Sequence, residues 1–81
     1  MRKRYPTRAR VVRDVITSIR QAAGLSQEAV SLKLRESKNY LHYIEANRRS
    51  CSIEEFIAIV EACGADPVDA LERVMARSRR R

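Results

Sequence analysis

At 81 residues the chain is sized for one domain, which can bury about 60–65% of the surface that its unfolded form exposes. A 44% hydrophobic share with one Phe and no Trp implies a modest core of aliphatic side chains and Ala, while only two Gly, two Pro and few β-branched runs argue against a sheet protein and for an all-helical one. The net charge of +7 does not by itself establish a nucleic-acid partner, and the absence of any 18-residue apolar span or signal-peptide pattern predicts a cytoplasmic protein without a membrane segment.

In chain order, residues 1–6 read as a basic arm that Tyr5 can anchor to the body. The body, 7–76, opens with a helix from Thr7 to Ala23 whose stripe is Val12, Val15, Ile16, Ile19, Ala22 and Ala23, and Gly24 closes it. A second helix starts at Ser26, a good N-cap, and presents Ala29, Val30 and Leu34. A third follows a gap too short for anything but a tight turn; Ser37 is its expected N-cap, and Leu41 and Ile44 its buried pair. The fourth has a capping box, Ser52 with Glu55, and an expected core face of Ile53, Phe56, Ile57, Val60 and Cys63 before Gly64. Asp66 and Pro67 open a fifth helix with Val68, Leu71, Val74 and Met75. Residues 77–81, RSRRR, read as a basic disordered tail.

The positive charge sits at the ends: residues 1–13 carry six basic groups and 77–81 carry four, leaving seven basic against ten acidic groups, a net of −3, from Asp14 to Ala76. Such arms either neutralise phosphates or act as solvated, solubilising tails. The sharper signal is the third helix. With Leu41 and Ile44 turned inward, Asn39, His42, Tyr43 and Ala46 fall on the opposite face, flanked by Lys38 and Tyr40. Lys can donate to guanine O6 or N7, and Asn can pair bidentately with adenine N6 and N7, so Lys38, Asn39, His42 and Tyr43 are candidate base readers. Ser37, Tyr40, Arg48 and Arg49 are candidate phosphate contacts. The bland alternative for each is a solvated surface residue. Cys51 and Cys63 stand twelve apart, without metal-site spacing, and read as free thiols. No catalytic constellation, Gly-rich phosphate loop or metal cluster is recognisable, so neither an enzyme nor a cofactor is expected.

The runs GLSQEAVSLKL, RESKNYLHYIEANRR and SCS, with the helices on either side, resemble the lambda-repressor-like (XRE, Cro/repressor) helix-turn-helix family over about residues 8 to 72. The resemblance implies a compact five-helix DNA-binding domain whose helix-turn-helix is formed by helices 2 and 3, in a bacterial or phage regulator. It also implies that Arg20 pairs with Glu45, that Gln27 holds a phosphate and braces the recognition helix, and that dimer contacts lie after helix 4, where Val68, Leu71, Val74 and Met75 are the candidates. Four positions depart from the usual pattern. Arg35 replaces the inter-helix Gly, Glu36 the apolar residue after it, and Ser31 a close-packed Ala. Asn47 stands at a C′ place that the family usually gives to Gly.

The function expected from this is sequence-specific regulation of transcription, most simply repression, by a homodimer on a palindromic operator in double-stranded DNA. Two other classes stay open: an antitoxin-type protein that represses its own operon while holding a partner of unknown identity, and an RNA-binding or enzyme-accessory helper in which the basic arms dominate.

Overall fold

In a computed structural model, residues 6–79 are described, and they form five helices and no strand: α1 Pro6–Ala22, α2 Gln27–Lys33, α3 Tyr40–Glu45, α4 Ile53–Ala62 and α5 Pro67–Ser78. All but Pro6 of the expected N-terminal arm, and Arg80 and Arg81 of the tail, lie outside the described residues.

The starts of the helices follow local chemistry. Ser26 Oγ accepts the Ala29 N–H at 3.0 Å, and Ser52 and Glu55 exchange both bonds of a capping box. Asp66 caps α5 through the Val68 N–H, with Pro67 next. Helices α1 to α4 also stop in one way: the residue after the C-cap turns left-handed and the following N–H reaches back five residues. Gly24 and Gly64 fill that place after α1 and α4, while Arg35 and Asn47, each at φ 61°, fill it after α2 and α3. A side chain costs about 1–2 kcal/mol there for most residues and less for Asn, so the strain is concentrated at Arg35.

The core joins Val11, Val15, Ile16 and Ile19 of α1 to Val30, Tyr40, Leu41, Ile44, Phe56, Ile59, Val60, Ala70 and Val74. Several expected faces are rotated. On α1, Val11 is buried, Val12 is half-buried, and Ala22 and Ala23 are exposed. The cause is α5, which lies antiparallel on the Asp14–Ser18 side through Arg77 to Asp14 (3.8 Å) and Arg73 to Ser18 (3.3 Å). That draws Val11 inward and leaves Val12 on a cleft with Leu71 and Met75.

On α4, Ile59 is buried with Phe56 and Val60, whereas Ile53 and Ile57 are exposed and Cys63 only half-buried. Two contacts on the other edge of α4 turn it this way: Glu55 binds Tyr40, and the Ala62 carbonyl accepts from Lys33 at 2.8 Å. On α5 the core residues are Ala70 and Val74, and the helix runs to Ser78, past the expected limit at Ala76, with the Arg79 N–H bonded to the Met75 carbonyl.

Candidate nucleic-acid interface

The two middle helices meet through one hydroxyl. Ser31, fully buried, donates to the Gln27 carbonyl at 2.8 Å and accepts the Leu41 N–H at 3.0 Å. That N–H belongs to the first turn of α3, where no intrahelical acceptor exists. A residue chosen by its family as Ala for closeness thus acts here as a cross-helix cap. The sequence offered one signal of it: a hydroxyl on an otherwise apolar stripe.

Helix α3 is six residues long, too short to hold itself. Its back, Leu41 and Ile44, is buried. Its front carries Asn39, His42, Tyr43 and Ala46, all exposed, with exposed Lys38 just before it. The His42 and Tyr43 rings are tilted against each other with centroids 5.6 Å apart. The helix starts later than expected: Asn39, not Ser37, occupies the N-cap, and the Asn39 side chain makes no capping bond. Ser37 contributes its carbonyl instead, accepting the Tyr40 N–H at 3.0 Å.

The C-terminal end of α3 is held by Glu45. Arg20 grips its carboxylate with Nε (2.9 Å) and Nη2 (3.1 Å), and Gln27 Nε2 donates to Oε1 at 2.8 Å. Arg20 Nη1 also reaches the Leu25 carbonyl at 2.9 Å, so one guanidinium ties α1, the α1–α2 link and α3 together. Burial by itself pushes the Glu45 carboxyl up, but the bonds from Arg20, Gln27 and Thr17 hold it below the usual carboxylate range. Its hydrogen bond with Glu45 raises the Arg20 guanidinium further.

The other end is held differently. Tyr40, expected on the flank as a phosphate contact, is only 6% exposed; its ring packs in the core and its hydroxyl donates to Glu55 Oε2 at 2.9 Å. Burial, then the Glu55 contact, raises its phenol well above the ordinary value. A hydroxyl so placed cannot reach a phosphate without unpacking the core. Arg49 donates to the same Oε2 at 2.8 Å and lies over the Tyr40 ring at 4.8 Å. Arg48 is exposed, its N–H closing the α3 turn on the Tyr43 carbonyl at 2.8 Å.

Cys51, beside Arg49, is half-buried, and burial pushes its thiol up to about 11; Cys63 is raised for the same reason, and neither is in a disulfide. Of the four residues expected at a dimer surface, Val68 (63% exposed), Leu71 and Met75 are outside, but Val74 is part of the core, because it sits on the edge of α5 that faces α1.

Two short helices joined by a tight turn, the second with a packed back and a polar front, define a helix-turn-helix domain. A family model described as a helix-turn-helix domain matches residues 6–73, most of the chain. The chain belongs to this family, whose members are XRE-like, in keeping with the lambda-repressor resemblance. No curated protein and no solved structure matches it.

Proposed function

We propose that this chain is a sequence-specific transcriptional regulator, a repressor that binds a palindromic operator as a homodimer and reads bases with Lys38, Asn39, His42 and Tyr43. The observation that carries the reading is the two-sided character of α3: hydrophobic and sealed behind, amide, imidazole, phenol and ammonium in front. Groups of that kind match the donors and acceptors of the major groove. Arg48 in the next loop, and Gln27 at the start of α2, supply phosphate contacts that fix the register. Arg20 and Glu45 set the angle at which α3 leaves the body.

One six-residue helix covers few base pairs, so pairing of two copies is what gives useful selectivity, with the two recognition helices about 34 Å apart. Val68, Leu71 and Met75, all exposed on α5, form the apolar face that supports this pairing. The same face suits a second reading, an antitoxin-type protein that holds a partner there. A chain that stays monomeric on its operator at micromolar concentration would favour that alternative.

The test is selection of binding sites from random duplex DNA, by the wild type and by Asn39→Ala. The wild type is expected to enrich a two-fold motif, and the variant to lose preference at one position in each half-site. No enrichment, or an unchanged motif in the variant, would remove the reading.

A further inference from the structure

Helix α3 begins with one, and is followed by the other, of two side chains that end on a single oxygen. Tyr40 is the first residue of the helix and Arg49 stands four beyond its last, and both donate to Oε2 of Glu55. The other oxygen, Oε1, accepts the Ser52 N–H at 3.0 Å, which locks the carboxylate to the first turn of α4. The Arg49 guanidinium over the Tyr40 ring closes the triangle. This arrangement is independent of the Arg20–Gln27–Glu45 cluster at the opposite end of α3 and uses a different body helix as its anchor.

We infer that Glu55 is a positioning residue for DNA recognition: it presents α3 in a fixed pose and holds the Arg49 guanidinium back from the phosphates, favouring base reading over sequence-independent attraction. This rests on the DNA-reading proposal above. The physical reason is geometric and electrostatic together. A short helix that had to order itself on contact would lose affinity to that ordering. A guanidinium on a flexible loop next to a reading helix attracts any duplex equally, since phosphate contacts carry no sequence information. One carboxylate removes both problems, because it pins the two chain segments flanking α3 and neutralises Arg49.

The substitution Glu55→Gln separates this role from capping. Gln serves in a capping box through its amide oxygen, so α4 keeps its start. The remaining NH2 group is a donor facing the donors of Arg49, and the guanidinium is released. Binding would be measured by fluorescence anisotropy on the duplex that the wild type selects and on a scrambled duplex, over a series of salt concentrations.

The expected result is a fall of about tenfold in the ratio of specific to non-specific affinity, the scale of one charge-assisted hydrogen bond. The salt slope should steepen by about 0.9, the signature of one extra phosphate contact. A purely structural role would lower thermal stability without moving either quantity, and an unchanged ratio and slope would overturn the inference. Tyr40→Phe, which keeps the ring and the cap and loses only the hydroxyl, decides the matter if Glu55→Gln is unfolded by circular dichroism: its ratio should fall about threefold at constant slope, and no fall overturns the inference. A wild type that does not discriminate between the two duplexes would sink the DNA reading itself, and the role of Glu55 with it; discrimination by the wild type with unaltered variants would sink the positioning role alone.

Discussion

Replacing Ser31 by Ala tests whether one buried hydroxyl joins the halves of the helix-turn-helix. The substitution removes two bonds with unequal consequences. The Gln27 carbonyl belongs to the first turn of α2 and points along the helix, where the N–H four residues on is available to it, so losing the Ser31 donor costs it little. The Leu41 N–H, in the first turn of α3, has Ser31 as its acceptor and is buried behind the turn. Leaving a buried donor without a partner costs about 1–3 kcal/mol. Against this, Ala is the better helix former by about 0.5 kcal/mol. The balance is a loss of about 1–2 kcal/mol, and for a domain of this size each kcal/mol shifts Tm by roughly 4–8 °C. Urea and thermal unfolding followed by circular dichroism would measure it, with an unchanged urea m-value marking a true stability effect. A variant as stable as the wild type, despite Ala being the usual family residue at this place, would show that the Leu41 N–H finds another acceptor and that the hydroxyl is dispensable.

Arg35→Gly relieves a left-handed residue in the turn and is expected to stabilise the fold by about 0.5–1 kcal/mol, read as a rise in urea midpoint; a loss would mean that the Arg35 side chain contributes more than its backbone costs. Acid should destabilise in a defined window. Glu45 and Glu55 both have folded values below the usual carboxylate range, so their contribution is complete above the unfolded value of about 4.3 and fades as pH falls through the lower folded values. Unfolding free energy against pH should therefore be flat near neutrality and drop below about pH 4, and Glu45→Gln should flatten that drop while lowering stability at pH 7. Leu71→Glu, on the exposed flank of α5, should leave the monomer folded, abolish self-association in sedimentation velocity and weaken operator binding at least tenfold, since single half-sites bind poorly; unchanged sedimentation would place the dimer surface elsewhere.

What the chain announced in its sequence was local, and what it concealed was relational. Ser26, the Ser52–Glu55 box, Asp66 with Pro67, and the turns at Gly24, Asn47 and Gly64 act within five residues, and all are visible as short patterns. Which member of an adjacent apolar pair goes inside is not of that kind. Val11 and Val12 stand only 100° apart on α1, and the choice between them was made by α5, more than fifty residues away. Likewise Ile59 displaced Ile53 and Ile57 because Glu55 and Ala62 anchor the other edge of α4. Tyr40 shows the same limit within the candidate site. A phenol one step from a polar face is legible as a surface group until the carboxylate that captures its hydroxyl is known. The outward residues Asn39, His42 and Tyr43 were easier, because Leu41 and Ile44 left them nowhere else to go.

The antiparallel seating of α5 on α1 brings Arg8 and Arg79 to the rim of one cleft, so both basic segments join the body at the same end. The like charges of Arg8 and Arg79 repel across that cleft, which loosens the pairing of first and last helices when counterions are scarce. Ionic strength then pulls the molecule two ways, tightening the bundle while weakening its hold on a polyanion.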